Sequence, residues 1–415
     1  MGAALAHRIE DIVKGGLCIG CGLCASLAGP ARVEMRWTEA GRLRPVVKAA
    51  LDTATLDLID ATCPGLGTDG MAAAMAGPGA EFDPVFGYAQ AGWIGWAKDP
   101  EIRFRAATGG ALTALAVHLL ETRAVEFVVH VRSPDEAPVR NRPHVSRSRA
   151  EVLAGMGSRY SPAAPLLHLD DHLAAGRPFA IIAKPCDVAA VRRLAKRDPR
   201  VDECVKYLLS ISCGGAPTLD MTWRLMKPFP MAEADLSLFR FRGHGNPGRV
   251  RMETKDGRAF ERAYNDAWGD KNLWHLNFRC KMCMDPVGEQ ADIIAYDVWP
   301  GGSPTGEDAG INGITARTLR GRALVEGAIA AGALVVQRSV GLEILADTQP
   351  HQTAKKMGIL GRQWGLALTG RIAPRFPGLR VFRMARAAGL RHVFKNMFGT
   401  MRRARAGGVD EPPAG

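Results

Sequence analysis

The middle of the chain alternates between the apolar patterns of strands and of helices. Residues 88–96 alternate as a half-buried strand does, residues 112–120 have an apolar helical pattern, and the β-branched run 125–131 is typical of a buried strand. Residues 166–175 then predict a helix and residues 179–183 another buried strand. Strands that alternate with helices predict a mixed α/β (α+β) fold whose sheet has parallel portions.

The same alternation continues towards the C-terminus. Residues 187–196 predict a helix and residues 207–212 a strand. Asp256-Gly257 lies between two strand-like runs, 249–254 and 259–264, and predicts a β-hairpin. Further elements are predicted at 43–47 (strand), 54–60 (helix), 291–298 (strand) and 319–332 (helix).

The composition is that of a folded globular protein. Hydrophobic residues make up 47% of the 415 positions and charged residues 23%, which excludes wholesale disorder and favours two or three domains. Residues 65–79 are rich in Gly and Ala and predict a linker. We find no secretory signal and no apolar run of about 18 residues that would span a bilayer. We therefore expect a cytoplasmic protein, whose thiols stay reduced.

The net charge of +12 comes from one end of the chain. Residues 349–409 contain 13 Lys and Arg residues and no Asp or Glu, so the rest of the protein is close to neutral. A nucleic-acid-binding function for the whole protein therefore has little support.

The last part of this basic tail predicts an amphipathic helix. Its apolar face contains Leu390, Val393, Phe394, Met397, Phe398 and Met401. Its cations, mainly off that face, are Arg391, Lys395, Arg402 and Arg403. Such a helix lies on an anionic membrane or docks on an acidic partner such as a ferredoxin. A helix packed on the body with a solvated cationic face is an equally good interpretation.

Eight of the nine cysteines fall into two sets of four. In the first set, Cys18, Cys21 and Cys24 follow at steps of three in a Gly-rich loop, and Cys63 precedes Pro64 further along. Three thiolates so spaced bind three corners of a [4Fe–4S] cube, and the fourth comes from elsewhere, often before a Pro. A zinc site is the alternative, but zinc sites usually show two separated pairs. The spacing therefore predicts an iron–sulfur cluster.

The second set is dispersed along the chain. Cys280 and Cys283 form a lone CxxC pair, whereas Cys186 and Cys213 each follow a predicted strand. Neighbouring parallel strands end at one edge of a sheet, where ligands bind, so these cysteines can converge with the pair. Zinc, redox chemistry, or two buried cysteines with a fortuitous pair remain alternatives. Cys204 is left over as a partly buried thiol.

Three polar loops are candidates for binding a cofactor or substrate. Thr108-Gly109-Gly110 precedes a predicted helix and offers backbone N–H groups to a phosphate. Residues 157–162 offer hydroxyls, an Arg and an aromatic ring, and the Gly-rich loop 242–248 contains His244. Taken alone, each of these loops is better explained as ordinary loop chemistry, and His244 as a surface or packing residue.

Together and in this order, the features resemble the coenzyme F420 hydrogenase/dehydrogenase beta-subunit family, which also includes 7-hydroxymethyl chlorophyll a reductases and ferredoxin-dependent divinyl chlorophyllide reductases. The resemblance runs from about Cys18 to Gly313. It rests on Cys18-Ile-Gly-Cys21-Gly-Leu-Cys24, Thr108-Gly-Gly110, Gly157-Ser-Arg-Tyr160, Lys184-Pro-Cys186, Cys213, residues 242–248, Arg279-Cys280-Lys-Met-Cys283-Met-Asp285, residues 288–293 and Asp297-Val-Trp299. Lys-Pro-Cys is commonly followed by Gln in the family, but here by Asp187.

The resemblance implies FAD and two [4Fe–4S] clusters, the second of them held by Cys186, Cys213, Cys280 and Cys283. It implies flavin-binding positions at Thr108, Gly109, Gly110, Thr113, Ser158, Arg159, Tyr160 and Lys184. A proton donor is expected near the flavin, and its candidates are Asp187, His244 and Asp297.

From its own pattern and the resemblance together, the chain is expected to divide into four segments. Residues 1–80 are expected to form a small ferredoxin-like iron–sulfur module, and residues 81–165 the N-terminal part of a flavin-binding domain. Residues 166–335 complete that domain and carry the second iron–sulfur site, and residues 336–415 form the basic helical tail.

The favoured hypothesis is an oxidoreductase that passes electrons from a donor such as reduced ferredoxin through two clusters and FAD to a small organic acceptor. The alternative is an electron-transfer beta subunit of an F420-linked hydrogenase or dehydrogenase complex. A zinc-stabilised scaffold with a basic arm is a third, non-enzymatic interpretation. We expect a redox protein partner and no nucleic acid, and peripheral membrane contact through the tail stays open.

Overall fold

A mixed eight-stranded sheet lies at the centre of the protein, whose computed structural model describes residues 7–412. In chain order the strands are β1 (Val33–Trp37), β2 (Leu43–Val47), β3 (Glu81–Asp83), β4 (Gly87–Ala89), β5 (Ala91–Ala97), β6 (Phe127–Arg132), β7 (Arg142–Ser146), β8 (Phe179–Ile182), β9 (Val205–Ile211), β10 (Leu236–Arg240), β11 (Val250–Thr254), β12 (Ala259–Arg262), β13 (Ile293–Asp297), β14 (Asn312–Ala316) and β15 (Leu334–Ser339). The order across the large sheet is β15-β5-β14-β13-β9-β8-β6-β7.

The inner strands β13, β9, β8 and β6 run parallel to one another, and the strands outside them are antiparallel. The predicted α/β class with a partly parallel sheet is therefore confirmed. The predicted hairpin is present as β11 and β12, which β10 extends to a separate three-stranded sheet. Two further hairpins pair β1 with β2 and β3 with β4. The predicted strand at 88–96 is divided into β4 and β5.

Helices cover both faces of the large sheet. In chain order they are α1 (Ile9–Lys14), α2 (Leu23–Ala28), α3 (Thr53–Thr62), α4 (Ala73–Ala76), α5 (Pro100–Arg105), α6 (Ala111–Glu121), α7 (Arg149–Ala154), α8 (Leu169–Ala174), α9 (Pro185–Ala195), α10 (Arg200–Cys204), α11 (Leu219–Met226), α12 (Tyr264–Trp268), α13 (Phe278–Lys281), α14 (Leu319–Ala330), α15 (Ile344–Thr348), α16 (Pro350–Met357), α17 (Ile359–Ala367), α18 (Val381–Ala388) and α19 (Leu390–Arg405). Within the described residues, no helix has the length and apolarity needed to cross a membrane.

The core lies in two layers because successive strand residues point to opposite faces. On β6 and β8, Phe127 and Phe179 pack on the side of α8 and α9, and their rings stack with centroids 4.9 Å apart. Their chain neighbours, Val128 and Ala180, pack on the other side against α6 and α14. This arrangement buries the central strands on both faces and fixes where their ends emerge.

Residues 65–79 do not form the predicted linker. A Cβ atom built on Gly67 would lie 2.4 Å from the carbonyl oxygen of Arg375, and one on Gly70 would lie 2.5 Å from that of Gly378. The backbone of this segment therefore packs directly against the C-terminal part of the chain. Its glycines are needed for that close approach, and the composition alone does not distinguish this role from flexibility.

The basic tail packs on the body of the protein. Glu289 is fully buried and pairs with Lys356 Nζ at 3.1 Å and Arg380 Nη2 at 2.7 Å, so two tail cations share one carboxylate. Further along, α19 lies against α17, where a Cβ atom on Gly361 would be 2.1 Å from the carbonyl oxygen of Val393. The interpretation of a tail packed on the body therefore agrees with the structure.

Replacing Gly361 by Ala is expected to separate α17 from α19 and to lower the free energy of unfolding by about 1–3 kcal/mol, the usual cost of overpacking. The matched control is Gly399→Ala in α19, because no atom lies within 4 Å of a Cβ built there. Alanine is the better helix former, so the control should be unchanged or slightly more stable. Urea unfolding measures both variants, and equal stability would contradict the close contact at Gly361.

Candidate redox site at the sheet edge

The second cysteine set converges at the carboxyl edge of the parallel strands. Cys186 is in the first turn of α9, directly after β8, and Cys213 follows the end of β9. Cys280 is in α13 and Cys283 follows it. Burial, with repulsion from Cys280 and Cys283, raises the pKa of Cys213 to about 12. Cys186 is likewise close enough to Cys213 and Cys283 for their charges to interact. The structure thus brings together all four residues of this set.

The first cysteine set lines a single pocket. Cys18, Cys21 and Cys24 come from the loop that leads into α2, and Cys63 is the C-cap of α3. Gly22 has a φ of 85° and turns the chain between two of these cysteines. Burial, followed by the charge of Cys18, raises the pKa of Cys63 to about 11.

Both cysteine sets fit iron–sulfur clusters in their donor chemistry. Burial raises the pKa of Cys18, Cys21, Cys24, Cys63, Cys186, Cys213 and Cys283, whereas coordination to a metal deprotonates a thiol outright. Backbone N–H groups also point at sulfur, from Gly20 to Cys18 Sγ and from Ala216 to Cys280 Sγ, both at 3.3 Å. Such hydrogen bonds orient and tune cluster ligands. Over residues 7–412, no group of three or more His, Cys, Asp or Glu residues is arranged to share one metal ion.

Charged side chains lie between the two cysteine sets. Arg44 is 1% exposed and close enough to Cys18 and Cys280 to interact with both charges. It donates from Nε and Nη2 to the Glu411 carboxylate at 2.7 and 2.9 Å, and from Nη2 to Asn277 Oδ1 at 2.6 Å. A buried cation is therefore held beside both sets by a residue near the end of the chain.

Lys184 and Asp187 form a second charged link between the cysteine sets. Lys184 Nζ lies 2.6 Å from Asp187 Oδ2, and the Asp187 side chain is fully buried. Burial alone would lower the pKa of Lys184, but the carboxylate of Asp187 outweighs it and the pKa is raised. The charge of Asp187 acts on Cys21 and Cys186, one cysteine from each set. Lys184 and Asp187 thus belong to the cysteine region of the site.

The other part of the site is organised around one buried guanidinium. Arg242 donates from Nη1 and Nη2 to the two carboxylate oxygens of Asp297 at 3.1 and 3.0 Å. Its Nη2 also donates to Thr108 Oγ1 at 3.3 Å and Asn246 Oδ1 at 3.1 Å, and Nη1 lies 3.5 Å from the hydroxyl of Tyr160. Burial lowers the pKa of Arg242, but Asp297 reverses the effect and raises it. These five residues are called the Arg242 network below.

Aromatic rings border the Arg242 network. The guanidinium carbon of Arg242 lies 4.8 Å from the ring centroid of Trp299 and 5.4 Å from that of Tyr264. The ring of Tyr160 lies 4.2 Å from that of Trp268. A buried charge pair beside flat apolar surfaces suits a ligand that combines an aromatic ring system with polar edges.

The predicted Thr108-Gly109-Gly110 loop leads into α6, as expected. Thr108 has a φ of 68°, unusual for a residue with a branched side chain, and its hydroxyl donates to Asp297. At the helix start, the N–H of Ala111 donates to Asn312 Oδ1 at 3.0 Å. The first amide of α6, next to the predicted loop, is therefore already bonded within the protein. Thr113 follows in the first turn of α6.

Arg159, in the Gly-Ser-Arg-Tyr segment, is a half-buried cation suited to an anion. Its Nε is one of the buried polar atoms that lack a hydrogen-bond partner in the described chain, as is Nε2 of His144. Burial, with repulsion from Arg132, lowers the pKa of Arg159 to about 10. Burial and the neighbouring cations also lower the pKa of His130, which packs edge-on against His144, to about 4. The unpaired Nε–H of Arg159 suits the phosphate of a dinucleotide such as FAD.

The predicted site residues therefore divide between two regions. Thr108, Tyr160 and Asp297 meet in the Arg242 network, whereas Lys184 and Asp187 lie beside the cysteines. Gly109, Gly110 and Thr113 form the start of α6, and Ser158 and Arg159 lie on the loop before Tyr160. His244 is exposed and packs edge-on against Phe104. Cys204 is buried at the end of α10.

Four residues of the site have structural roles that the sequence analysis did not identify. Arg242 is the centre of its network, although the sequence placed it only in a Gly-rich loop. Arg44, Asn277 and Asn312 gave no signal at all, because an isolated polar residue carries no pattern. Their partners are distant in sequence, up to 367 positions for Arg44 and Glu411.

Comparison with known proteins matches the middle of the chain. Residues 93–169 match the family model described as the N-terminal part of the coenzyme F420 hydrogenase/dehydrogenase beta subunit, and residues 176–340 match the model of its C terminus. The Arg242 network and the second cysteine set lie within these residues. The first cysteine set and the basic tail lie outside them, so the resemblance expected from Cys18 onwards is matched from residue 93.

Two curated relatives are beta subunits of archaeal formate dehydrogenases. The chain is 26% identical over 217 residues to the F420-dependent formate dehydrogenase 1 subunit beta of Methanococcus maripaludis, covering 52% of each chain. It is 24% identical over 241 residues to the corresponding subunit of Methanocaldococcus jannaschii, covering 56% of this chain and 58% of the relative. The chain thus matches only somewhat more than half the length of these relatives.

A solved structure shares the fold. A chain of the F420-reducing [NiFe] hydrogenase complex from Methanosarcina barkeri, in a xenon-derivatised form, superposes with a TM-score of 0.53 and 21% identity. The match covers 66% of this chain and 92% of that one. The chlorophyll-pigment reductases named with this family above gain no support from these relatives. The chain belongs to the coenzyme F420 hydrogenase/dehydrogenase beta-subunit family, whose members are redox subunits.

Proposed function

We propose that this protein is an iron–sulfur flavoprotein that exchanges electrons between F420 and a redox partner. The observation that carries the proposal is a shared sheet edge. Cys186, Cys213 and Asp297 follow or end the adjacent parallel strands β8, β9 and β13, so the second cysteine set and the Arg242 network lie at one edge. Ligands of open α/β sheets bind at this edge.

The two cysteine sets and the Arg242 network form a sequence of sites. The second set shares the sheet edge with the Arg242 network, and Arg44 and Asp187 lie between the second set and the first. When bound, the clusters would carry single electrons and the flavin would exchange a hydride. This order of sites supports an electron path from an organic carrier, through the second cysteine set, to the first cysteine set.

The residues of the chain contribute binding and electrostatics to this proposal. The Arg159 cation would hold a flavin phosphate, and the Arg242 network would orient the ring system against the aromatic residues. Lys184 would stand beside the second cluster, paired with Asp187. Arg44 would favour the reduced state of both clusters, because a buried cation offsets added negative charge.

Anaerobic purification followed by iron and flavin analysis tests the cofactors. We expect about eight irons and one FAD per chain, and reduced F420 should then reduce a viologen dye in the presence of the protein. Zinc without iron, or the absence of any bound flavin, would overturn the proposal. Reduced ferredoxin is the comparison donor: if it alone reduces the bound flavin and F420 does not react, the ferredoxin-dependent interpretation replaces the F420-linked one.

A further inference from the structure

The basic tail carries an exposed apolar ridge. We define the tail ridge as Phe382, Leu390, Phe394 and Phe398, whose exposed fractions are 75%, 74%, 43% and 61%. The last three follow one another at steps of four, on one side of α19. The rings of Phe394 and Phe398 are stacked with centroids 6.4 Å apart. Leu390, Phe394 and Phe398 thus form a strip of apolar surface on α19, and Phe382 is an exposed ring on the preceding helix α18.

The tail ridge is distinct from the face by which α19 is attached to the protein. Val393, Met397 and Ala404 are buried, and the backbone at Met397 lies against Gly365 of α17. The structure thus divides the single apolar face predicted for this helix. One half holds the helix on the body, and the other half faces outwards. Because α19 packs on α17, the tail ridge has a defined position on the surface of the protein.

Cations border the ridge on its outer side. The exposed cations of α18 and α19 are Arg383, Arg386, Arg391, Lys395, Arg402, Arg403 and Arg405. Arg391 and Lys395 each follow a ridge residue by one position, and residues 349–409 contain no carboxylate side chain. The surface therefore combines protruding apolar groups with charge of a single sign.

We propose that the tail ridge binds to the surface of an anionic lipid bilayer. Phe382, Leu390, Phe394 and Phe398 enter the boundary between headgroups and acyl chains, and the bordering cations contact lipid phosphates. An acidic protein would also match the cations, but it would leave the protruding rings in water unless it offered a fitted pocket for each. Lipid accepts all four without such pockets. The proposal does not depend on the cofactors.

Vesicle flotation of the full-length protein tests the proposal. The vesicles are phosphatidylcholine alone or phosphatidylcholine with phosphatidylglycerol. We expect the protein to float with the anionic vesicles, and not with the neutral ones. The double variant Phe394→Ser/Phe398→Ser should bind at least about tenfold more weakly, because both rings lose their apolar contacts. Its matched control is Phe104→Ser, since Phe104 is also exposed (54%) but lies outside the tail.

The contribution of charge is tested with a second pair of variants. Arg391→Gln/Lys395→Gln/Arg402→Gln should weaken binding by about fivefold for each charge removed. The control Arg177→Gln/Lys227→Gln/Lys255→Gln removes the same charge from exposed positions elsewhere, and it should bind as the wild type does. The inference is overturned if the wild type does not float, or if tail and control variants float equally. Retention by an acidic ferredoxin without flotation would overturn it in favour of a protein partner.

Discussion

Cys213→Ala is expected to remove the second cluster and to abolish electron transfer between F420 and a viologen dye, lowering the rate by more than about a hundredfold. Cys213 follows β9 and is close enough to Cys280 and Cys283 for their charges to interact, and its set contains no further cysteine to replace it. Iron should fall from about eight to about four per chain, and the spectrum of the remaining cluster should persist.

Cys204→Ala is the matched control for this result. Cys204 is also buried, but its sulfur only faces the carbonyl oxygen of Leu173, at 3.8 Å. Iron content and rate should therefore stay at the wild-type level. Circular dichroism and bound flavin show whether Cys213→Ala has kept its fold. A folded Cys213→Ala protein with eight irons would remove Cys213 from the cluster.

The second cysteine set shows how far sequence reasoning reaches. Cys186 and Cys213 were predicted to meet because each follows a strand, and adjacent parallel strands end at one edge. That rule needs only the type and direction of the elements, which hydrophobic periodicity supplies. The convergence is present because β8 and β9 are indeed parallel neighbours. The metal itself stays a prediction, since its ligands were assigned from the family.

Hydrophobic periodicity does not predict side-chain contacts between distant parts of the chain. Arg44, Asn277 and Glu411 come from three distant parts of the chain, and no periodicity relates them.

The amphipathic face of α19 was likewise predicted only in part. Its period correctly indicated a helix with an apolar side, but the period does not tell which half of that side meets α17. Burial of Val393 and exposure of Phe394 follow from the docking angle of the helix.

The Arg242 network was predictable from the sequence only in part. Its loops were identified as candidates for cofactor binding, but the central role of Arg242 was not. The Thr108, Tyr160 and Asp297 segments were assigned to the flavin region from motifs. Their common contact with Arg242 depends on the close approach of the 242–248 loop to the end of α5, just before Thr108, where a Cβ atom on Gly243 would lie 2.4 Å from the carbonyl oxygen of Arg105. Such an approach between distant backbones is set by the whole fold.

Arg242→Met is therefore expected to have the largest effect of any single change in the flavin region. Removal of one partner from a buried ion pair costs about 3–5 kcal/mol, because the other charge is left uncompensated. Asp297 would keep its carboxylate but lose both hydrogen bonds from the guanidinium. Since the network joins Thr108 and Tyr160, we expect flavin content after gel filtration to fall below about a tenth of the wild-type value.

Two further variants separate this role from general destabilisation. Arg242→Lys keeps the charge but not the bidentate contact with Asp297. It should therefore retain an amount of flavin between those of the wild type and Arg242→Met, and flavin titration should show a weaker affinity than that of the wild type. Arg258→Met removes an exposed arginine from the β11–β12 turn, where its partner is Asp256, and should bind flavin as the wild type does. The iron content of all three proteins should be unchanged, because none of the hydrogen-bond partners of Arg242 is a cysteine. If Arg242→Met binds as much flavin as the wild type, and with the same affinity, the flavin lies elsewhere. If this variant loses iron together with flavin, Arg242 supports the fold and not the flavin site.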